Sequence, residues 1–185
     1  MCRLLEIQKQ PATEKSELEK KMGMYAEYRA YNDEQFERLK KLNIDDLVEA
    51  FEEEDDSVPV TDVDKMWDAL HFILTGKGAG DPIEDDLLSI AIVGDQELVD
   101  DDELFNTYIA ADMLPKVVAA MEAVDFSTKL AETPFSLLER NDIYPSIWEE
   151  DNDELEEELT VHFESLLDFY RECVANKHNV VVTIC

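Results

Sequence analysis

The chain has 185 residues, 45% of them apolar, with five glycines and six prolines. That composition can bury one proper core and excludes a disordered chain. Asp and Glu number 46 against 16 Lys and Arg, a formal net charge of −30, which repels nucleic-acid phosphates and anionic membranes and fits a solvated surface that keeps the chain in solution, an acidic face for a basic protein partner, or mimicry of nucleic acid.

Residues 1–21 hold five basic and four acidic side chains, so position 22 onward carries −31. Leu4, Leu5 and Ile7 are interrupted by Pro11, and Thr13 to Lys21 is polar. This predicts a poorly packed N-terminal extension over 1–21 and a single domain over 22–185. Another reading starts the protein at Met22 or Met24, because the codons for Glu19-Lys20-Lys21 are purine-rich, like a ribosome-binding site. From Met24 to Tyr31 the alternation and three tyrosines predict a strand. Asn32-x-x-Gln35 is a capping box that starts a helix with Phe36, Leu39 and Leu42 inward. A second helix follows Asn43, with Leu47, Val48 and Phe51 inward, and runs out in Glu52 to Asp56.

Pro59 breaks the chain, and Asp62 or Asp64 is the predicted cap of the next helix. That segment, DKMWDALHFILTG from Asp64 to Gly76, sets Trp67, Leu70, His71 and Leu74 at i, i+3, i+4 and i+7, one buried helix face. A glycine loop and an apolar segment, Leu87 to Val93, follow. A strand is expected over 105–110. A helix is expected from Asp112 through Val124, with Pro115 tolerable in its first turn. Short helical pieces around Lys129 and Leu137 lead to Ile143-Tyr144-Pro145, where proline imposes an extended approach. Asp153-x-x-Glu156 is the predicted cap of a long C-terminal helix striped by Leu155, Leu159, Phe163, Leu166, Tyr170 and Cys173. Asn179 to Cys185 is β-branched and predicts a strand buried on both faces. The order gives an α+β fold, mostly helical, with a small sheet from strands near 24–31, 105–110 and 179–184.

No apolar run approaches the ~20 residues that span a bilayer, and the start shows no export signal. Cys2, Cys173 and Cys185 are scattered, which argues for a reducing cytoplasm and against a disulfide or zinc framework.

Three stretches carry a resemblance. They are Met22-Gly23-Met24 with the aromatic strand and capped helix; DKMWDALHFILTG with LLSIAIVG; and Ile143-Tyr144-Pro145-Ser146-Ile147-Trp148 with the acidic stretch, the Phe169-Tyr170 helix and the terminal β-run. Over residues 22–185 the chain resembles the bacterial YfbM-like family of domains of unknown function. The resemblance implies an α+β fold and a cytoplasmic bacterial protein, and no activity.

The candidate pocket consists of Trp67, His71 and Thr75 on one helix face, with Tyr144 and Trp148. His71 could bind or move a proton, and the aromatic pair could grip a cation; the plainer reading makes all five core or loop anchors. The GKGAG loop follows a helix, and its Lys77 precedes glycine, so it is a helix cap rather than a phosphate loop. The acidic clusters Glu52–Asp56, Asp85-Asp86, Asp100–Glu103 and Glu149–Glu158 have no calcium-loop spacing. The three histidines have no metal-ligand spacing. No catalytic set, cofactor or metal is indicated. The leading expectation is a non-enzymatic acidic domain that binds a basic protein, in the manner of an immunity or antitoxin-like inhibitor. The rival is a small-molecule-binding or enzymatic domain at the candidate pocket.

Overall fold

A computed structural model describes residues 23–52, 57–100, 104–148 and 152–185. The predicted extension 1–21 lies outside the described residues, as do parts of the acidic clusters at 52–56, 100–103 and 149–158. Among the described residues, five strands make one antiparallel sheet: β1 (Ala26–Tyr31), β2 (Val60–Asp62), β3 (Gln96–Glu97), β4 (Phe105–Ile109) and β5 (Asn179–Ile184). Their order is β2-β1-β5-β4-β3. β5 is central, pairing Ala26 with Ile184 on one side and Phe105 with Ile184 on the other.

Among the described residues, eight helices surround the sheet: α1 (Asp33–Leu39), α2 (Ile44–Glu52), α3 (Trp67–Thr75), α4 (Leu87–Val93), α5 (Leu114–Glu122), α6 (Phe126–Glu132), α7 (Phe135–Arg140) and α8 (Asn152–Asn176). Strand alternation sends Ala26, Tyr28, Ala30, Val180 and Val182 into a large core with α3 to α8. It sends Tyr31, Val181 and Tyr108 to the opposite face, under α1 and α2. β5 is therefore buried on both sides, and the α+β expectation holds.

The capping box on α1 is present, with both Asn32 and Gln35 bonds formed. The α8 stripe is buried along its length. Other boundaries differ from expectation. α3 begins after Met66 with no side-chain cap; Asp62 instead accepts from the Asp64 amide, at a turn where Asp64 takes a φ of 48. α5 begins after Met113, not at Asp112, and Asp153 lies inside the first turn of α8. Sequence patterning misses β2 and β3, which are too short to alternate. Cys173 is a free buried thiol, pushed up to about 12 by burial. Cys185 is disulfide-bonded, which corrects the expectation that no disulfide forms.

The C-terminal end of α4 explains how a largely apolar segment is held in the core. A helix end leaves four carbonyls without intrahelical partners. Here Ile90 takes the Gly94 amide at 2.9 Å, Ala91 the Tyr170 hydroxyl at 2.6 Å, Ile92 the Tyr28 hydroxyl at 2.9 Å and Val93 the Thr107 hydroxyl at 2.7 Å. Gly94 makes the close approach possible. Its φ of 77 and ψ of 179 fall in a region open essentially to glycine alone, and a Cβ there would meet the Thr107 Cβ at 2.7 Å. Gly94→Ala is expected to lower stability by about 2–3 kcal/mol, read as a reduced urea midpoint with an unchanged m-value.

Candidate functional site

All of Trp67 to Leu74 is buried, so every polar group on α3 must find a partner inside the protein. His71 is fully buried. Its Nδ1 lies 2.7 Å from the Lys77 carbonyl oxygen and its Nε2 2.7 Å from Ser89 Oγ. A carbonyl only accepts, so Nδ1 carries the proton and Nε2 accepts from the Ser89 hydroxyl. Ser89 Oγ in turn accepts from the Ile83 amide at 3.0 Å. Thr75 folds its hydroxyl back onto the His71 carbonyl at 2.7 Å. The chain of bonds fixes the loop between α3 and α4 and commits both imidazole nitrogens. A serine and a histidine in hydrogen-bond contact invite a nucleophilic reading. Ser89 is only 1% exposed, however, and its hydroxyl is already engaged at both ends.

Burial lowers the His71 pKa, against smaller opposing effects from the Lys77 carbonyl, Asp68 and Asp86. Unfolded His71 takes up a proton near pH ~6.5, whereas the folded ring resists it. The stability His71 contributes is therefore present above that value and lost as pH falls through the lower folded pKa. Urea midpoints measured from about pH 7.5 down to 5 should show an acid-side decline in the wild type that is smaller in His71→Gln. Equal declines would remove His71 as its source.

Asp68 is the side chain that sequence reasoning missed. Its carboxylate, 8% exposed, accepts the Ala79 amide at 2.6 Å and the Tyr144 amide at 2.9 Å. It thereby ties α3 to the glycine loop and to the segment after α7. Its burial forces the pairing, since a carboxylate taken from water must be paired, but both of its partners come from loops distant in sequence.

Trp67 and Tyr144 are brought together, their rings stacked with centroids 5.7 Å apart. Together they hold one residue. Trp67 Nε1 donates to the Met24 carbonyl at 3.1 Å, and the Tyr144 hydroxyl accepts the Met24 amide at 2.8 Å. Gly23, at φ 63, fits beneath them; a Cβ there would lie 2.8 Å from the Tyr144 hydroxyl. Trp148 is placed differently. It is buried, tilted against Phe135 with centroids 5.6 Å apart, and its Nε1 donates to the Ile143 carbonyl at 2.7 Å. The five predicted residues thus act as anchors of three loops.

A groove of about 410 Å³ lies elsewhere, between the corner residues 124–127 and the face of α8 from Thr160 to Arg171. Phe126 and Phe163 stack nearly parallel in its floor, centroids 4.3 Å apart. Asp125, Glu164 and Asp168 stand among the residues lining it. Arg171 donates from Nε and Nη2 to Glu122 Oε1 at 3.0 and 2.8 Å, and from Nη1 to Asp168 at 2.8 Å. Asp125 is held below the usual carboxylate range, chiefly by the Thr128 hydroxyl and amide and then by Ser127. Along the exposed side of α8, Asp153, Glu154, Glu156, Glu157, Glu164, Asp168 and Glu172 face solvent with Arg171.

Comparison with known proteins locates this architecture. The model of a domain of unknown function, DUF1877, matches residues 22–183. Protein YfbM of Escherichia coli (strain K12) is 26% identical over 165 residues, covering 88% of this chain and 99% of YfbM. The crystal structure of YfbM, described as a protein of unknown function, superposes with a TM-score of 0.71 at 25% identity, covering 87% of this chain and 99% of that one.

Proposed function

The chain belongs to the DUF1877 family, and from that premise we propose that it is a non-enzymatic binding domain whose acidic surface engages a basic protein, in the manner of an immunity or antitoxin-like inhibitor. One observation carries the reading. The solvent face of α8 presents seven carboxylates with one arginine, beside a groove with an aromatic floor. Charge of this density steers a cationic partner, while the groove offers apolar surface for attachment. His71 supports the same direction from the other side, because an engaged, fully buried imidazole is closed to substrate. Among the described residues, no helix is long and apolar enough to cross a membrane.

Affinity capture with the full chain, at low and at high salt, tests the proposal. A stoichiometric basic protein retained at low salt and released at high salt is the expected result. Recovery of no stoichiometric partner under either condition counts against it.

A further inference from the structure

We infer that the groove between α8 and the 124–127 corner seats arginine side chains of the basic partner, a step that rests on the binding-domain reading above. The argument is one of charge and shape complementarity. An arginine side chain has an apolar stem and a planar cationic end. The groove matches that division, with the Phe126 and Phe163 rings below and Asp125, Glu164 and Asp168 among its lining residues. A guanidinium is already held at this wall: Arg171 pairs with Asp168, which lines the groove, and with Glu122 beside it, through three bonds of 2.8–3.0 Å. That internal guanidinium occupies Asp168, a groove carboxylate an incoming one would use. It follows that the resident arginine competes with the partner's arginines.

The competition gives a test with a direction that diffuse attraction does not share. Nona-arginine is titrated into the full chain by calorimetry at about 50 mM salt, and its position is mapped by amide shifts of the labelled protein. Arg171→Ala is expected to bind the peptide about threefold more tightly, and Glu164→Gln about threefold more weakly. Lys40→Ala removes the same charge from the C-terminal cap of α1, across the sheet, where Lys40 pairs with Glu37 at 2.6 Å; it is expected to leave the affinity unchanged. Shifts confined to 124–127 and 160–171 support the assignment. Equal tightening by Arg171→Ala and Lys40→Ala, or shifts spread over the whole acidic surface, overturns the groove while the binding-domain reading stands. No binding of the peptide at low salt overturns both.

Discussion

Asp68→Ala is expected to cost about 4 kcal/mol of folding stability, because each buried amide left without its charged acceptor costs about 1–3 kcal/mol or more. The two amides, Ala79 and Tyr144, belong to different loops, so one substitution loosens both where they meet α3. Asp68→Asn keeps one carbonyl oxygen and can hold one of the two amides, so it should lose about half as much. Urea denaturation separates the cases. A loss below about 1 kcal/mol in Asp68→Ala would show that water or backbone movement replaces the carboxylate. Hydrogen exchange at Ala79 and Tyr144 adds a local readout, since both amides should lose protection together.

The second large effect belongs to the end of α4. Tyr28 reaches it from β1 and Tyr170 from α8, and their rings meet edge to face with centroids 6.1 Å apart. Phenylalanine at either position keeps the ring and leaves one buried carbonyl without its donor, at a cost of about 1–2 kcal/mol. The double variant Tyr28→Phe/Tyr170→Phe should lose about 3 kcal/mol, and the shared helix end makes a departure from additivity the informative quantity. Both phenols are raised above the ordinary tyrosine range, principally by burial. The unfolded chain ionises these tyrosines near pH ~10 while the folded one does not. Their contribution is thus intact below that value and lost as pH rises past it. In alkaline titration of the wild type, the tyrosinate absorbance of Tyr28 and Tyr170 should appear only with unfolding. Tyrosinate from all six tyrosines before any loss of helix would contradict their burial.

What was legible in the sequence is where one face is apolar and the other is not. The α8 stripe repeats often enough to fix both the helix and its inner side, and the Asn32-x-x-Gln35 box needs no tertiary information. β5 was legible for a related reason, since an unbroken β-branched run fits only a strand covered twice. Leu87–Val93 was not, because six apolar residues around Ser89 carry no clear period, and the helix there depends on the Asp86 cap and on donors from Tyr28, Tyr170 and Thr107. Polar groups in the core were the harder omission. Ser89 and Asp68 acquire meaning from loops distant in sequence, and no local pattern pairs a side chain with the Tyr144 amide. The aromatic residues Trp67, Tyr144 and Trp148 were recognised as important, but their spacing could not reveal that two clamp Met24 while the third packs on Phe135. The groove was invisible for the same reason: Phe126 and Phe163 are core residues, and only the packing of their elements brings them together beneath it.

The position of β5 has a consequence for how the protein comes into being. The strand at the centre of the sheet is the last of the five to leave the ribosome, and β1 pairs with it across nearly the whole described chain. Helices can form during synthesis, whereas β1 and β4 remain separated until Asn179 to Ile184 emerges and joins them. The sheet therefore closes after synthesis of its last strand, and that closure involves contacts of large sequence separation, which slow folding. Until then, Val60, Phe105 and the faces of the waiting strands stand open to aggregation, and the mutual repulsion of the carboxylates keeps one nascent chain away from the next.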